Sequence, residues 1–195
     1  MSITGGDLTA FVVERKSVNN PTTTDLLMAG NGQFGGLGNN TFANSQGTPT
    51  RVKGISGRLQ CEILRNTILD VDLIVHHTVN DRAGSVEAIV PEGISISPTG
   101  HVLLSLNSSA DSGGVGGKDV MAWGKNYESE LGNGKKSSIA LPTTLESPDG
   151  ERLMLRTKKA KEVRDLHGKV WKRGVKVQQH VVTGPQSSAV YWRII

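Results

Sequence analysis

Short runs of Val, Ile, Leu and aromatic residues, bounded by Gly, Asn, Ser or Pro, recur along the chain. Runs of this kind read as β-strands. They predict strands at residues 10–13, 26–29, 102–106, 120–123, 175–182 and 189–195. Residues 156–166 are the clearest helix-compatible stretch and carry Lys158, Lys159, Lys161 and Arg164. No apolar run reaches the ~18 residues of a membrane-spanning helix.

The pattern repeats. Ala29-Gly30-Asn31-Gly32-Gln33-Phe34-Gly35-Gly36-Leu37-Gly38-Asn39-Asn40 aligns with Trp123-Gly124-Lys125-Asn126-Tyr127-Glu128-Ser129-Glu130-Leu131-Gly132-Asn133-Gly134 at an offset of 94. A proline follows each copy at nearly the same distance, Pro49 and Pro142. The apolar flanks that begin at Gly6 and Gly100 align at the same offset of 94, and a third flank begins at Gly184. Each unit thus runs from a glycine turn into an apolar strand. A variable loop, a strand ending in Ala-Gly or Trp-Gly, and a Leu-Gly-Asn turn follow. Short strands, frequent glycine turns and a repeat favour a radial all-β architecture whose units must stack on their neighbours. The readings for site residues follow from this order. Gly30, Leu37, Gly38, Asn39, Trp123, Gly124, Asn126, Leu131, Gly132, Asn133 and Gly134 are the structural repeat motif. Lys158, Lys159, Lys161, Arg164, Trp171, Lys172 and Arg173 are candidate partner-binding residues.

The stretch from Val120 to Gly134 resembles the signature of the regulator of chromosome condensation repeat, an aromatic-Gly-x-Asn-x-x-x-Gln-Leu-Gly pattern. The copy at 29–40 resembles it with Ala29 in the aromatic place and Gly36 in the Gln place. Gly100-His101 resembles the family's Gly-x-x-His segment only in part, and Asp7 and Gln186 stand where a His is usual. The resemblance covers roughly residues 1–57 and 94–195. It implies an all-β, incomplete β-propeller of about two and a half units, the C-terminal part of a longer protein. The expected organisation is a propeller unit at 1–57, an insertion at 58–84, a second unit at 85–150, a basic insertion at 151–177 and terminal blade strands at 178–195. The tail, from Leu153 through Val175, resembles that of a fungal mitochondrial member of the family. That likeness implies a non-enzymatic scaffold at the inner membrane that serves assembly of respiratory complex III. Two alternatives stand beside it. One is a guanine-nucleotide exchange factor for a small GTPase, or a chromatin-associated nuclear propeller. The other is a truncated, non-functional gene product.

Composition sharpens this picture. The chain has 195 residues, 36% hydrophobic and 21% charged, which is a globular balance. Its 24 glycines supply tight turns, and Cys61 is the only cysteine, so no internal disulfide forms. The net charge of +4 is uneven, because residues 151–177 hold ten Lys or Arg against three acids. A basic segment fits a protein partner with an acidic surface. No small-molecule substrate, cofactor or metal is expected, nor is nucleic acid. Any membrane association is expected to be peripheral or to go through a part N-terminal to this chain. The five histidines are His76, His77, His101, His167 and His180, and none stands at metal-ligand spacing with Cys or carboxylates. Gly30-x-Gly32-x-x-Gly35 matches a dinucleotide fingerprint in letters, but Gly36-Leu37-Gly38-Asn39 is a poor helix start, so it reads as a turn. Trp123 is expected to pack on a neighbouring unit. Trp171, between Lys169 and Lys172, also suits a binding surface.

Overall fold

A computed structural model describes residues 2–16, 23–55, 91–107, 117–146 and 149–195. The expected insertion at 58–84, with Cys61, His76 and His77, lies outside them. The described residues hold twelve strands and no helix: β1 (Ser2–Gly5), β2 (Leu8–Arg15), β3 (Thr23–Gly32), β4 (Ala43–Arg51), β5 (Pro91–Ile96), β6 (His101–Leu106), β7 (Lys118–Gly124), β8 (Ile139–Thr144), β9 (Met154–Leu155), β10 (Thr157–Arg164), β11 (Val170–Thr183) and β12 (Ser188–Ile194). They form three antiparallel sheets. The first runs β1-β2-β3-β4, the second β5-β6-β7-β8 with β9 also on β7, and the third β10-β11-β12.

The six expected strands all fall on strands of the structure, the last of them ending one residue earlier, at Ile194. Those not read from the sequence are weak as sequences. β4 and β8 each carry a proline, Pro49 or Pro142, and both lie at sheet ends, where a missing N–H costs least. The helix expected at 156–166 is a correction, since 157–164 form β10, paired along its length with β11 from Thr157↔Gln178 to Arg164↔Val170. Lys, Ala, Glu and Arg favour helix only by tenths of a kcal/mol each. A long hairpin with the β-branched residues of β11 outweighs that preference. β11 also runs unbroken across the expected boundary at 177/178, so the basic segment and the terminal strands share one sheet.

Backbone conformation follows the repeat. Gly30 and Gly124 have φ of 116° and 100°, Gly38 and Gly132 have 63° and 67°, and Asn40 and Gly134 have 66° and 70°. Even Gly35 and its counterpart Ser129 share the left-handed region, at 78° and 62°. Matched turn bonds accompany them. The Gly35 N–H donates to Gly32 O and the Ser129 N–H to Asn126 O, and the Gly38 N–H donates to Gly35 O as the Gly132 N–H does to Ser129 O.

The flanking strands, however, slip by one. Gly30 stands opposite Leu8, and Gly124 stands opposite His101. Leu8 therefore corresponds to His101, at an offset of 93 and not the 94 expected, because the chain takes one residue more from His101 to Gly124 than from Leu8 to Gly30. A one-residue slip exchanges the two faces of a strand. With the corrected register the sheets stack front to back. The face of the first sheet with Leu8, Ala10, Leu26, Met28 and Leu37 packs on the opposite face of the second, with Ile96, Val102, Leu104 and Trp123. The second sheet then turns the face with Leu103, Val120, Ala122, Leu131 and Leu145 toward the third, where Val181 of β11 packs against it.

Candidate functional site

The motif residues lie at the ends of β3 and β7 and in the turns that follow them, one copy on each of the first two sheets. Trp123 is fully buried in the core between the first two sheets, and its Nε1–H donates to Gly36 O at 2.8 Å. Leu37 and Leu131 are likewise buried, each below its own sheet. Asn126, also buried, ties the turn after β7 together. Its Nδ2 donates to Lys135 O at 2.8 Å and Asn133 Oδ1 at 3.0 Å, and its Oδ1 accepts the Leu131 N–H at 3.0 Å. Asn39 and Asn133 close matched turns by accepting the N–H groups of Thr41 and Lys135, at 3.1 and 3.0 Å. These residues hold backbone and present no converging reactive groups.

The junction of the second and third sheets carries polar chemistry that the sequence reading missed. Ser95 Oγ lies 3.0 Å from Thr183 Oγ1, Ser97 Oγ donates to Gly184 O at 2.8 Å, and the Thr99 hydroxyl donates to Pro185 O. His101 continues the row, with Nε2 3.3 Å from Ser187 O and 3.2 Å from Ser188 Oγ. Its one visible signal is small polar residues at every second position, which lie on one face of a strand and turn. Ser188, His101 and Glu130 suggest an acyl-transfer triad by residue type, but the geometry assigns them to docking. The Ser188 hydroxyl donates to the backbone oxygen of Glu130 at 2.7 Å, the Glu130 carboxylate accepts the Glu128 N–H, and His101 Nδ1 has no orienting partner. His101 is fully buried. Desolvation lowers its pKa below the usual histidine value, with Lys125 adding to the drop and the Ser187 carbonyl and Glu130 opposing it.

The third sheet gathers the candidate partner-binding residues but divides them. Strand alternation and the β10–β11 register put Lys159, Lys161, Lys172 and Lys176 on the outward face, with Tyr191 and Arg193 of β12. Lys158 lies on the inward face, its Nζ 4.2 Å from the centre of the Trp192 ring. Arg173 shares that face, opposite Glu162. Arg164 is tied at the hairpin end, donating to Glu162 Oε1 at 2.8 Å and Gly168 O at 2.9 Å. Trp171 is 66% exposed beside that end, with Lys172 Nζ 6.0 Å from its ring. Residues 157–194 hold nine Lys or Arg against Glu162 and Asp165. Elsewhere, a groove of about 540 Å³ lies between the first two sheets, with Lys53 and Lys135 against Glu146 at its edge. No group of three His, Cys, Asp or Glu among the described residues could hold a metal ion.

No protein-family model matches the chain. It is similar to Protein FMP25, mitochondrial, of Saccharomyces cerevisiae, 28% identical over 193 residues, which is 96% of this chain and 24% of that protein. The chain thus spans about a quarter of the length of the curated relative it matches.

Proposed function

We propose that the chain is a non-enzymatic protein-binding part of a mitochondrial repeat protein, built from successive blades of a regulator of chromosome condensation type propeller. The front-to-back stacking of sheets, with positive φ repeated at matched positions, supports the propeller reading. The observation that carries the docking role is the outward face of the third sheet. It joins four lysines and Arg193 to the exposed Tyr191 and Val182, 44% and 42% accessible, with no carboxylate among the strand residues of that face. A surface of this kind draws an acidic protein partner by charge and holds it through the aromatic and aliphatic groups. The similarity to a mitochondrial protein supports a mitochondrial compartment, and assembly of respiratory complex III is the process we assign to the docking. The test is complementation of cells lacking the protein with the triple variant Lys159→Glu, Lys161→Glu and Lys172→Glu, read on native gels of mitochondrial complexes. Loss of assembled complex III at undiminished protein level is expected. Normal complex III with the charge-reversed protein would overturn the reading.

A further inference from the structure

The β10–β11 hairpin projects past the sheet that packs against it. On the face turned to the second sheet, Val175 and Val177 are 6% accessible, whereas Arg173, two residues nearer the turn, is exposed. Residues 161–173 thus form an arm that stands clear of a sheet that is in place beside it. The turn of this arm is held by its own backbone. The Asp165 N–H donates to Lys169 O at 2.9 Å and the Gly168 N–H to Asp165 O at 3.0 Å, with φ of 81° at Gly168. Asp165 Oδ1 accepts the N–H groups of His167 and Lys169, each at 2.9 Å. None of these bonds uses the Leu166 side chain, which is 103% accessible at the tip. A Leu so placed stabilises nothing within its own chain. Trp171 stands one step behind it. Val163 pairs with Lys172 and Arg164 with Val170, so Trp171 is the extra residue of a β-bulge, a distortion that re-aims a side chain.

Cations surround these two apolar residues. Lys161 and Lys172 lie on the outward face, Arg173 on the inward face, and Lys169 in the turn itself. All four lie within about 10 Å of the turn along the arm, at some 3.3 Å per residue. The two acids of the arm are engaged locally, Glu162 by Arg164 and Asp165 by the turn N–H groups. A protein that met one face of the arm would use only part of this charge. A broad anionic surface met end-on uses all of it. From the tip inward the order is aliphatic, aromatic, cationic. That is the order of acyl chains, interface and phosphates in a bilayer entered from water.

We infer that the tip of the β10–β11 hairpin enters the headgroup layer of an anionic lipid bilayer end-on. Leu166 points to the acyl chains, Trp171 lies at the interface, and Lys161, Lys169, Lys172 and Arg173 face the lipid phosphates. A small apolar anchor binds reversibly and needs charge as a second signal, and the arm supplies both. The contact shares Lys161 and Lys172 with the protein-docking face, so the test uses variants that leave both in place.

The whole chain is sedimented with vesicles of phosphatidylcholine alone, and of phosphatidylcholine mixed with phosphatidylglycerol. The expected result is binding to the anionic vesicles only, weakening as salt rises. Leu166→Ser keeps every charge and should weaken this binding about tenfold, as for one Leu side chain returned to water. Lys169→Gln with Arg173→Gln should weaken it about fivefold for each cation removed. All three positions are exposed, and an unchanged circular dichroism spectrum and melting midpoint show that the fold is kept. Insertion is read from Trp emission with lipids brominated on their acyl chains. Quenching is expected in the wild type and is lost in Trp171→Phe, which retains Trp123 and Trp192. Equal vesicle binding by Leu166→Ser and the wild type overturns insertion and leaves adsorption by charge. Quenching that persists in Trp171→Phe moves the contact to Trp192 and overturns the tip. So does absence of vesicle binding, with capture of an RNA oligonucleotide or a polyglutamate peptide in its place. Leu166, Lys169 and Arg173 lie off the outward face, so failure of the docking reading leaves these outcomes unchanged, and their failure leaves the docking reading standing.

Discussion

Single glycines in this protein differ by what surrounds them. Gly132 and Gly124 share the left-handed region, with φ of 67° and 100°. Around Gly132 the space is open, whereas a Cβ on Gly124 would meet Gly100 O at 2.2 Å. Gly132→Val is therefore expected to cost about 1–3 kcal/mol from backbone strain alone. Gly124→Val should cost more than about 4 kcal/mol, because it also forces β6 and β7 apart. Urea unfolding of the two variants gives the order, and equal costs would show that the close approach is relieved. Trp123 allows a similar separation of effects. Trp123→Phe keeps most of the buried ring but leaves Gly36 O unpaired, for about 1–2 kcal/mol. Trp123→Ala also opens a cavity between the first two sheets, for about 3–5 kcal/mol. The turn glycines and asparagines of the repeat motif were legible at this scale because they act on nearby backbone. His101, Asp25 and Asp119 were not, since their partners come from distant residues: Ser187, Arg51 and Arg152.

Among elements, the joint between β6 and the β11–β12 turn carries a histidine whose pKa is shifted by burial. His101 is neutral in its buried place, and burial holds its pKa below 6.5. The unfolded chain then binds the extra proton more readily than the folded one in the window just below pH 6.5. Its contribution to stability is complete above that pH and declines as pH falls through the window, by up to about 1.4 kcal/mol per unit. Urea midpoints of the wild type should therefore drop between pH 7.5 and 5.5 by more than those of His101→Gln. A parallel drop in both proteins would assign the effect to other groups. β10 marks the limit of local reading at this scale. Its composition suits a helix, and only its register with β11 shows the strand.

At the scale of the whole molecule, three stacked sheets leave the third with its outward face and one strand edge uncovered among the described residues. An exposed edge and apolar face promote association, and the cations of the same sheet oppose it by repulsion. Salt screens that repulsion beyond about 8 Å at physiological strength. Association of the isolated chain is thus expected to rise with ionic strength, as seen by size-exclusion chromatography with light scattering at low and high salt. A stable monomer with one sharp melt in both buffers would mean that these surfaces are satisfied within the chain.

By itself the sequence determined the strand character of the apolar runs, the 94-residue echo of the Trp-Gly and Leu-Gly-Asn segments, and the basic bias toward the end of the chain. Each depends on residues close together along the chain, on φ preference, β-branching or local charge. Tertiary structure decided which faces are buried. β2, β6 and β12 occupy corresponding places in the three sheets, yet β2 buries one face, β6 nearly all its side chains and β12 almost none. The difference comes from what stacks on each sheet: one neighbour for the first, two for the second, and one partial neighbour for the third. The one-residue slip of the flanks has the same origin. It was invisible in the aligned letters, because hairpins that differ by one residue read alike, and it became definite only when the partners of Gly30 and Gly124 fixed which face each strand turns to its neighbour.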